Sequence, residues 1–211
     1  MADSIYGRYE EYLEPIMNQF MDRLKDYNQS IYRNTGFKVF EHLTGRIKSD
    51  ESMREKCQRK GFEVTAHSAL RELKDAIGIR IVVSFVDDIY KLTDYIRSLD
   101  CCKIVKEKDY IRHAKPNGYR SYHMIVEIQT EYEDIDGNVF GNYYMEIQLR
   151  TIAMDSWASL EHQLKYKKHI NNQELIVEEL RRCADELRRC ADELASCDVS
   201  MQTIRTLIQQ G

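Results

Sequence analysis

Two stretches of alternating residues, Tyr119 to Glu131 and Val139 to Arg150, flank Asp136-Gly137-Asn138, and this arrangement restricts the fold more than any other part of the chain. Asp-Gly between alternating segments is a strong hairpin signal, because both residues tolerate the positive φ that a tight reversal needs. In the second stretch Met145, Ile147 and Leu149 fall on one face, and Tyr144, Glu146, Gln148 and Arg150 on the other. Such a strand buries aliphatics on one side and sets Glu, Gln and Arg side by side on the other. That second face is either a polar site or the ordinary solvent face of an antiparallel sheet, and the strand alone leaves both open.

Upstream, Ile79 to Val86 is β-branched and nearly continuous, as a strand buried on both faces would be. Asp87 or Asp88 is expected to cap the helix that follows, where Ile89, Leu92, Tyr95, Ile96 and Leu99 keep helical spacing, and another strand is expected at Lys103 to Lys108. Within the first 40 residues, Leu13, Ile16, Met17, Phe20, Met21 and Leu24 recur as on an amphipathic helix. A second helix is expected from Ser52 to Lys60, stopped by Gly61, and a short one from Ala69 to Asp75. A further helix, from Ile152 to about Lys167, would start at a Thr151 cap and carry Trp157. These elements make an α+β fold, a mixed sheet of about five strands flanked by helices, with a long C-terminal helix. At 211 residues there is room for one core and an appended helix, hardly for two cores. We read 1–170 as the body and 171–211 as an appended oligomerisation helix.

No stretch approaches the roughly 18 consecutive apolar residues of a membrane span. The opening MADSIYGRYEEYLEP is acidic where a secretion signal would be basic and then apolar, so a cytoplasmic protein without membrane partners is expected. Its six cysteines form no C-x-x-C and read as reduced thiols. The formal charge of −4 builds in no attraction to duplex DNA. Positive charge is instead local. Arg46, Lys48, Arg54, Lys56, Arg59 and Lys60 crowd residues 46–60, and Lys103, Lys106, Lys108, Arg112, Lys115 and Arg120 crowd residues 103–120. A charge run taken alone is a solvated face, whereas two runs that converge make a pocket for several phosphates.

Glycine loops that cradle phosphates are absent: neither G-x-x-x-x-G-K-[ST] nor G-x-G-x-x-G occurs, so side chains must hold any phosphate. No His-Asp dipeptide occurs either, which argues against a phosphohydrolase built on that pair. In Lys115-Pro-Asn-Gly-Tyr-Arg-Ser-Tyr-His123 a tight turn is followed by an aromatic ring, a guanidinium and an imidazole at the mouth of a strand. Thr44-Gly-Arg-Ile-Lys48 and Lys56-Cys-Gln-Arg59 repeat the basic theme on a loop and a helix face, with Lys56 and Arg59 as i, i+3 neighbours. Asp75, just before the buried strand, is a magnesium ligand or a turn residue.

Taken with Asp75-Ala-Ile-Gly-Ile-Arg80, Glu146-Ile-Gln-Leu-Arg-Thr151 and Ala153-Met-Asp-Ser-Trp-Ala-Ser-Leu-Glu-His162, these motifs resemble the synthetase domain of RelA/SpoT-type enzymes, in the order that family shows them. The chain looks like a stand-alone small alarmone synthetase. The resemblance implies a nucleotidyltransferase-like fold and Mg²⁺-dependent transfer of pyrophosphate from ATP to the ribose 3′-OH of GDP or GTP, giving ppGpp or pppGpp and AMP. It implies that Arg46, Lys48, Lys56, Arg59 and Arg80 hold ATP, that Asp75 and Glu146 ligate Mg²⁺, and that Glu146 is the base. It further implies that Tyr119 stacks on guanine, with Lys115, His123 and Gln148 around the acceptor and Lys108 and Arg150 on its phosphates. Met21 and His42 stand where product-activated members offer a basic and an aromatic residue. A non-catalytic nucleotide or single-stranded RNA binding regulator on the same fold is the competing reading, but it would not need both Asp75 and Glu146.

From Ile176, the residues Leu180, Cys183, Leu187, Cys190, Leu194, Cys197, Met201, Ile204 and Ile208 follow at alternating spacings of about 3 and 4, an a/d seam. Glu179 to Asp185 is repeated as Glu186 to Asp192, adding about 10.5 Å of helix without changing register. A helix of about 55 Å outruns a body about 40 Å across, so a homo-oligomer held by these tails is expected. A tetramer is what the resemblance implies.

Overall fold

β5, Asn142–Thr151, runs through the centre of a five-stranded sheet of order β1-β2-β5-β4-β3, in the computed structural model that describes residues 4–115, 117–166 and 173–210. Its neighbours are β2 (Ile77–Val83), which it meets in parallel, and β4 (Tyr122–Gln129), which it meets antiparallel. β1 (His42–Ile47) and β3 (Cys102–Asp109) pair antiparallel at the two edges, so the sheet is mixed as expected.

One face is the core. Ile77, Ile79 and Ile81 from β2, Met145, Ile147 and Leu149 from β5, and Met124 and Val126 from β4 are buried there. α1 (Glu10–Thr35) covers that face with Leu13, Ile16, Phe20 and Leu24, and α3 (Val86–Arg97) with Ile89, Leu92 and Ile96. Each fully buried side chain of this size contributes about 1.5–3 kcal/mol, which is why the alternation in β5 cannot slip by one residue. α1 comes so close to β1 that a Cβ at Gly45 would lie 2.5 Å from the Met21 sulfur and 2.7 Å from that of Met17.

Several elements differ from the sequence reading. Thr44 to Ile47 is not a loop: it belongs to the edge strand β1, which is short and whose period of two is masked in the sequence by Gly45, and Lys48 follows directly after it. The buried strand begins at Ile77 and stops at Val83, and the short helix is a π-helical turn at Ser68–Glu72. Neither Asp87 nor Asp88 caps α3. Phe85 is the N-cap and supplies no side-chain bond, while Asp88 is buried and bound to Lys91 at 3.1 Å and to Arg205 at 2.5 Å. The hairpin strands are shorter than their alternation suggests, because residues 130–141 form a loop organised by Asp134. That carboxylate accepts backbone N–H bonds from Asp136, Asn138 and Asn142, pairs with Arg71 at 2.7 Å, and is held down at about 2 despite its burial. α2 spans Asp50–Lys60, capped by Ser49 and closed by Gly61 at φ 75°.

Thr151 does cap α4 (Ile152–Tyr166), its hydroxyl accepting the Met154 N–H at 3.3 Å. The expected boundary at 170/171 lies outside the described residues, as do Pro116 and the side chains of Ile176, Leu180, Cys183 and Leu187. α5 (Gln173–Gln210) lies along the body through a polar stripe. Asp192 pairs with Arg120 at 2.5 Å, Gln202 donates to Asp87 at 2.9 Å, and Arg205 reaches Asp88. The body therefore holds the second half of this helix, although a helix of this length was expected to outrun it. It does so with polar residues, and Leu194, Met201, Ile204 and Ile208 on the seam stay 40–67% exposed.

Candidate active site

The sheet face opposite the core carries the residues singled out above, and strand register sets them in two adjacent rows. Thr44, Arg80, Gln148, His123 and Lys108 lie opposite one another across all five strands. Arg46, Gly78, Glu146, Ile125 and Lys106 form the next row. Residues far apart in sequence meet here because each sits at the outward phase of its strand.

Two cavities open on this face. The first, of about 230 Å³, is lined by Arg46, Lys48, Asp75, Gly78, Arg80, Glu146 and Gln148 among others. Gly78 is part of its lining, and a Cβ there would touch the Arg46 side chain at 3.7 Å. The second, of about 310 Å³, is lined by Lys106, Lys108, Tyr110, Lys115, His123, Ile125 and Glu146. Glu146 is the residue in both walls, so it stands where two cationic wells meet.

In the first well, one oxygen of Asp75 is taken by the ammonium groups of Lys48 and of Lys56, the latter at 2.5 Å, while its Oδ1 is buried with no partner. A buried anionic oxygen without a donor is costly unless a cation completes it. Among the described residues no three His, Cys, Asp or Glu side chains cluster as a metal cage. Asp75 and Glu146 together fit a hard divalent ion that takes one or two carboxylates and fills its other positions with water and phosphate oxygens. Arg59, one turn beyond Lys56 on α2, is exposed.

A closed ring of hydrogen bonds runs through Glu146 and joins Gln148 of the first well to His123 of the second. Arg150 donates to the Tyr119 hydroxyl at 2.9 Å and to Gln148 Oε1 at 3.2 Å, and Gln148 donates to Glu146 Oε2 at 3.1 Å. The Tyr119 hydroxyl lies 2.8 Å from His123 Nε2, and His123 Nδ1 lies 3.3 Å from Glu146 Oε1. All partners are satisfied when the tyrosine donates to Nε2 and Nδ1–H donates to the carboxylate. Burial would raise the Glu146 pKa, but the bond from His123, the charge that ring carries once protonated in acid, the Gln148 bond and the Lys56 charge bring it down to about 2. The carboxylate is thus ionised throughout the neutral range.

Tyr119 is held between elements. Gly118, at φ 86°, closes the turn that presents it, Trp157 meets it edge-on at 6.3 Å, and the Lys115 ammonium lies 4.7 Å from its ring centroid. Lys106 and Tyr110 also line the second well, and the sequence reading did not assign them. Lys106 shares the i, i+2 phase of Lys108 on β3, a signal that the register shift between Ile104 and Lys106 obscured.

A mixed sheet whose polar face sets an ionised carboxylate between two cationic wells belongs to an enzyme that gathers polyanions around an acidic centre. The chain is a member of the RelA/SpoT family: the signature described as "Region found in RelA / SpoT proteins" matches residues 45–171. It is 41% identical over 150 residues to GTP pyrophosphokinase YwaC of Bacillus subtilis, covering 71% of this chain and 70% of that protein. Among solved structures, a GTP pyrophosphokinase family protein from Streptococcus pneumoniae matches 96% of this chain and 95% of its own at 33% identity, with a TM-score of 0.75. Small alarmone synthetase 1 from Bacillus subtilis, bound to its product pppGpp, matches 95% of this chain and 94% of its own at 29% identity and a TM-score of 0.73.

Proposed function

We propose that the protein transfers pyrophosphate from ATP to the ribose 3′-OH of GDP or GTP, making ppGpp or pppGpp and releasing AMP. The observation that carries this reading is the position of Glu146 in the shared wall of two cationic wells, where a donor and an acceptor nucleotide would meet. Arg46, Lys48, Lys56 and Arg80 surround the donor phosphates, with Arg59 at their periphery. Lys115, Tyr119, His123, Gln148, Lys108 and Arg150 receive the acceptor. Mg²⁺, held by Asp75 and Glu146, would neutralise charge on the transferred group. The 3′-oxygen attacks the β-phosphorus, the bond to the α-phosphate oxygen breaks, and Glu146 takes the hydroxyl proton. A carboxylate with a pKa of about 2 is a better cation ligand than a base, so its first task is to hold charge at the junction. Substrates of this kind place the activity in the cytoplasm.

Incubation with ATP, Mg²⁺ and GDP or GTP, with products resolved by charge, tests this. AMP should appear in step with a more highly charged guanine nucleotide. Binding of both nucleotides without AMP would leave a nucleotide-binding regulator in its place, and RNA binding under the same conditions would support the single-stranded RNA form of that reading.

Asp75→Asn is expected to act through the metal, so titrating Mg²⁺ or Mn²⁺ upward should restore part of the lost rate; a defect indifferent to metal concentration would remove Asp75 from the metal site. Tyr119→Ala should weaken the guanine nucleotide by about 1 to 3 kcal/mol, the measured range for aromatic stacking on bases, with ATP little affected. Calorimetry with each nucleotide separates the two, and a loss confined to ATP would displace the stacking role.

We infer further that copies of the chain associate through α5, as a tetramer in keeping with the family resemblance. The helix offers its polar stripe of Asp198, Gln202 and Arg205 to its own body and leaves its apolar seam outside, the reverse of an ordinary surface helix. An apolar seam at heptad spacing is completed by another like it.

A further inference from the structure

We propose that Asp155 is a positioning residue for the acceptor side of the reaction: it pins Arg150, and through Arg150 it sets the orientation of Tyr119 and Gln148 beside Glu146. The inference rests on the function proposed above. Arg150 is only 6% exposed, and its Nε has no partner. A guanidinium so far from water needs a counter-charge to stay where it is. Asp155 supplies it at 2.9 Å, and the same carboxylate oxygen lies 3.5 Å from the Arg80 guanidinium. One oxygen thus joins a residue of the donor well to one of the acceptor ring.

Local structure makes this carboxylate a firm support. It lies one turn into α4, whose start is fixed by the Thr151 cap, and Met154, Trp157 and Ala158 around it are buried. Arg80 and Arg150 stand on neighbouring parallel strands, two residues out of register, and repel each other across that gap. Burial and the Arg150 charge lower the Arg80 pKa, and Asp155 opposes that shift. Without the Asp155 carboxylate, Arg150 has no anion to set against the pull of Tyr119 and Gln148, and the ring through Glu146 loses its anchor.

The test uses the full-length protein and reads GDP and ATP affinity by calorimetry, with kcat and KM beside them. Asp155→Asn should weaken GDP roughly tenfold and lower kcat by a similar factor, the loss typical of one charge-assisted hydrogen bond. ATP affinity should stay within about threefold, because removing an anion near Arg80 offsets its looser position. In an Arg150→Met background the same substitution should change nothing further, since the two act as one unit. Additive losses in that cycle would overturn the proposal. Unchanged GDP affinity in Asp155→Asn, or tighter binding of both nucleotides as for a plain counter-charge, would also overturn it. Should Asp155→Asn not fold, Asp155→Glu keeps the charge and displaces it by one methylene; it must still weaken GDP more than ATP, and equal losses would overturn the assignment. A wild-type protein that binds GDP but makes no alarmone would refute the proposed reaction, and the GDP affinities would still decide the role of Asp155.

Discussion

Replacing Glu146 by Gln is expected to lower alarmone synthesis by about 10²- to 10⁴-fold, because it removes both the anion that would hold a cation at the junction of the wells and the group that takes the hydroxyl proton. The geometry makes this the largest single loss available on the polar face. Gln keeps the size of the side chain and can still bond to Gln148 and His123, so the walls of both wells remain and each nucleotide should still bind. What disappears is the charge at their junction, ionised at all working pH because His123, Gln148 and Lys56 stabilise it against the cost of burial. Single-turnover assays alongside calorimetry separate the two effects. Turnover within tenfold of wild type would remove Glu146 from the chemistry. A fall in affinity for both nucleotides as large as the fall in rate would make it a structural residue.

Most of this face was legible in the sequence because β-strand phase is simple arithmetic. Once Met145, Ile147 and Leu149 are assigned to the core, Glu146, Gln148 and Arg150 must share the opposite face, and β5 at the centre of the sheet leaves that face to the site. What the phase of one strand does not contain is its neighbours. Arg80 and Gln148 are opposite each other only because β2 pairs with β5 in parallel, a long-range choice that no local pattern encodes. Arg59 shows the same limit from the other side. Its i, i+3 spacing from Lys56 is sound helix geometry, yet α2 is oriented by buried Met53 and Cys57, and that orientation brings Lys56 to Asp75 and leaves Arg59 in solvent. Asp155 carries no distinctive signal in the sequence for a related reason, since a carboxylate in the first turn of a helix is common there on electrostatic grounds alone. Its two guanidinium partners come from strands that precede it by five residues in one case and by seventy-five in the other.

The heptad seam of α5 yields the second large effect, because assembly either survives a change of phase or does not. Excising residues 186–192 removes one copy of the tandem seven-residue segment and brings Asp185 to the place of Asp192, opposite Arg120. The seam stays in register, the helix shortens by about 10.5 Å, and the oligomer should persist. Removing only residues 188 and 189 turns everything beyond the cut by about 200°, at 100° per residue. Leu194, Met201, Ile204 and Ile208 would then face the chain's own body, where Asp87 and Asp88 now receive Gln202 and Arg205, and the polar stripe would face outward. A helix so turned has nothing apolar to offer a second copy. Light scattering should therefore give the wild-type mass for the seven-residue deletion and a monomer for the two-residue deletion, with helix content by circular dichroism similar in both. Equal masses for the two deletions would show that the seam is not what assembles the protein, and would leave the exposed apolar stripe of α5 to a different partner.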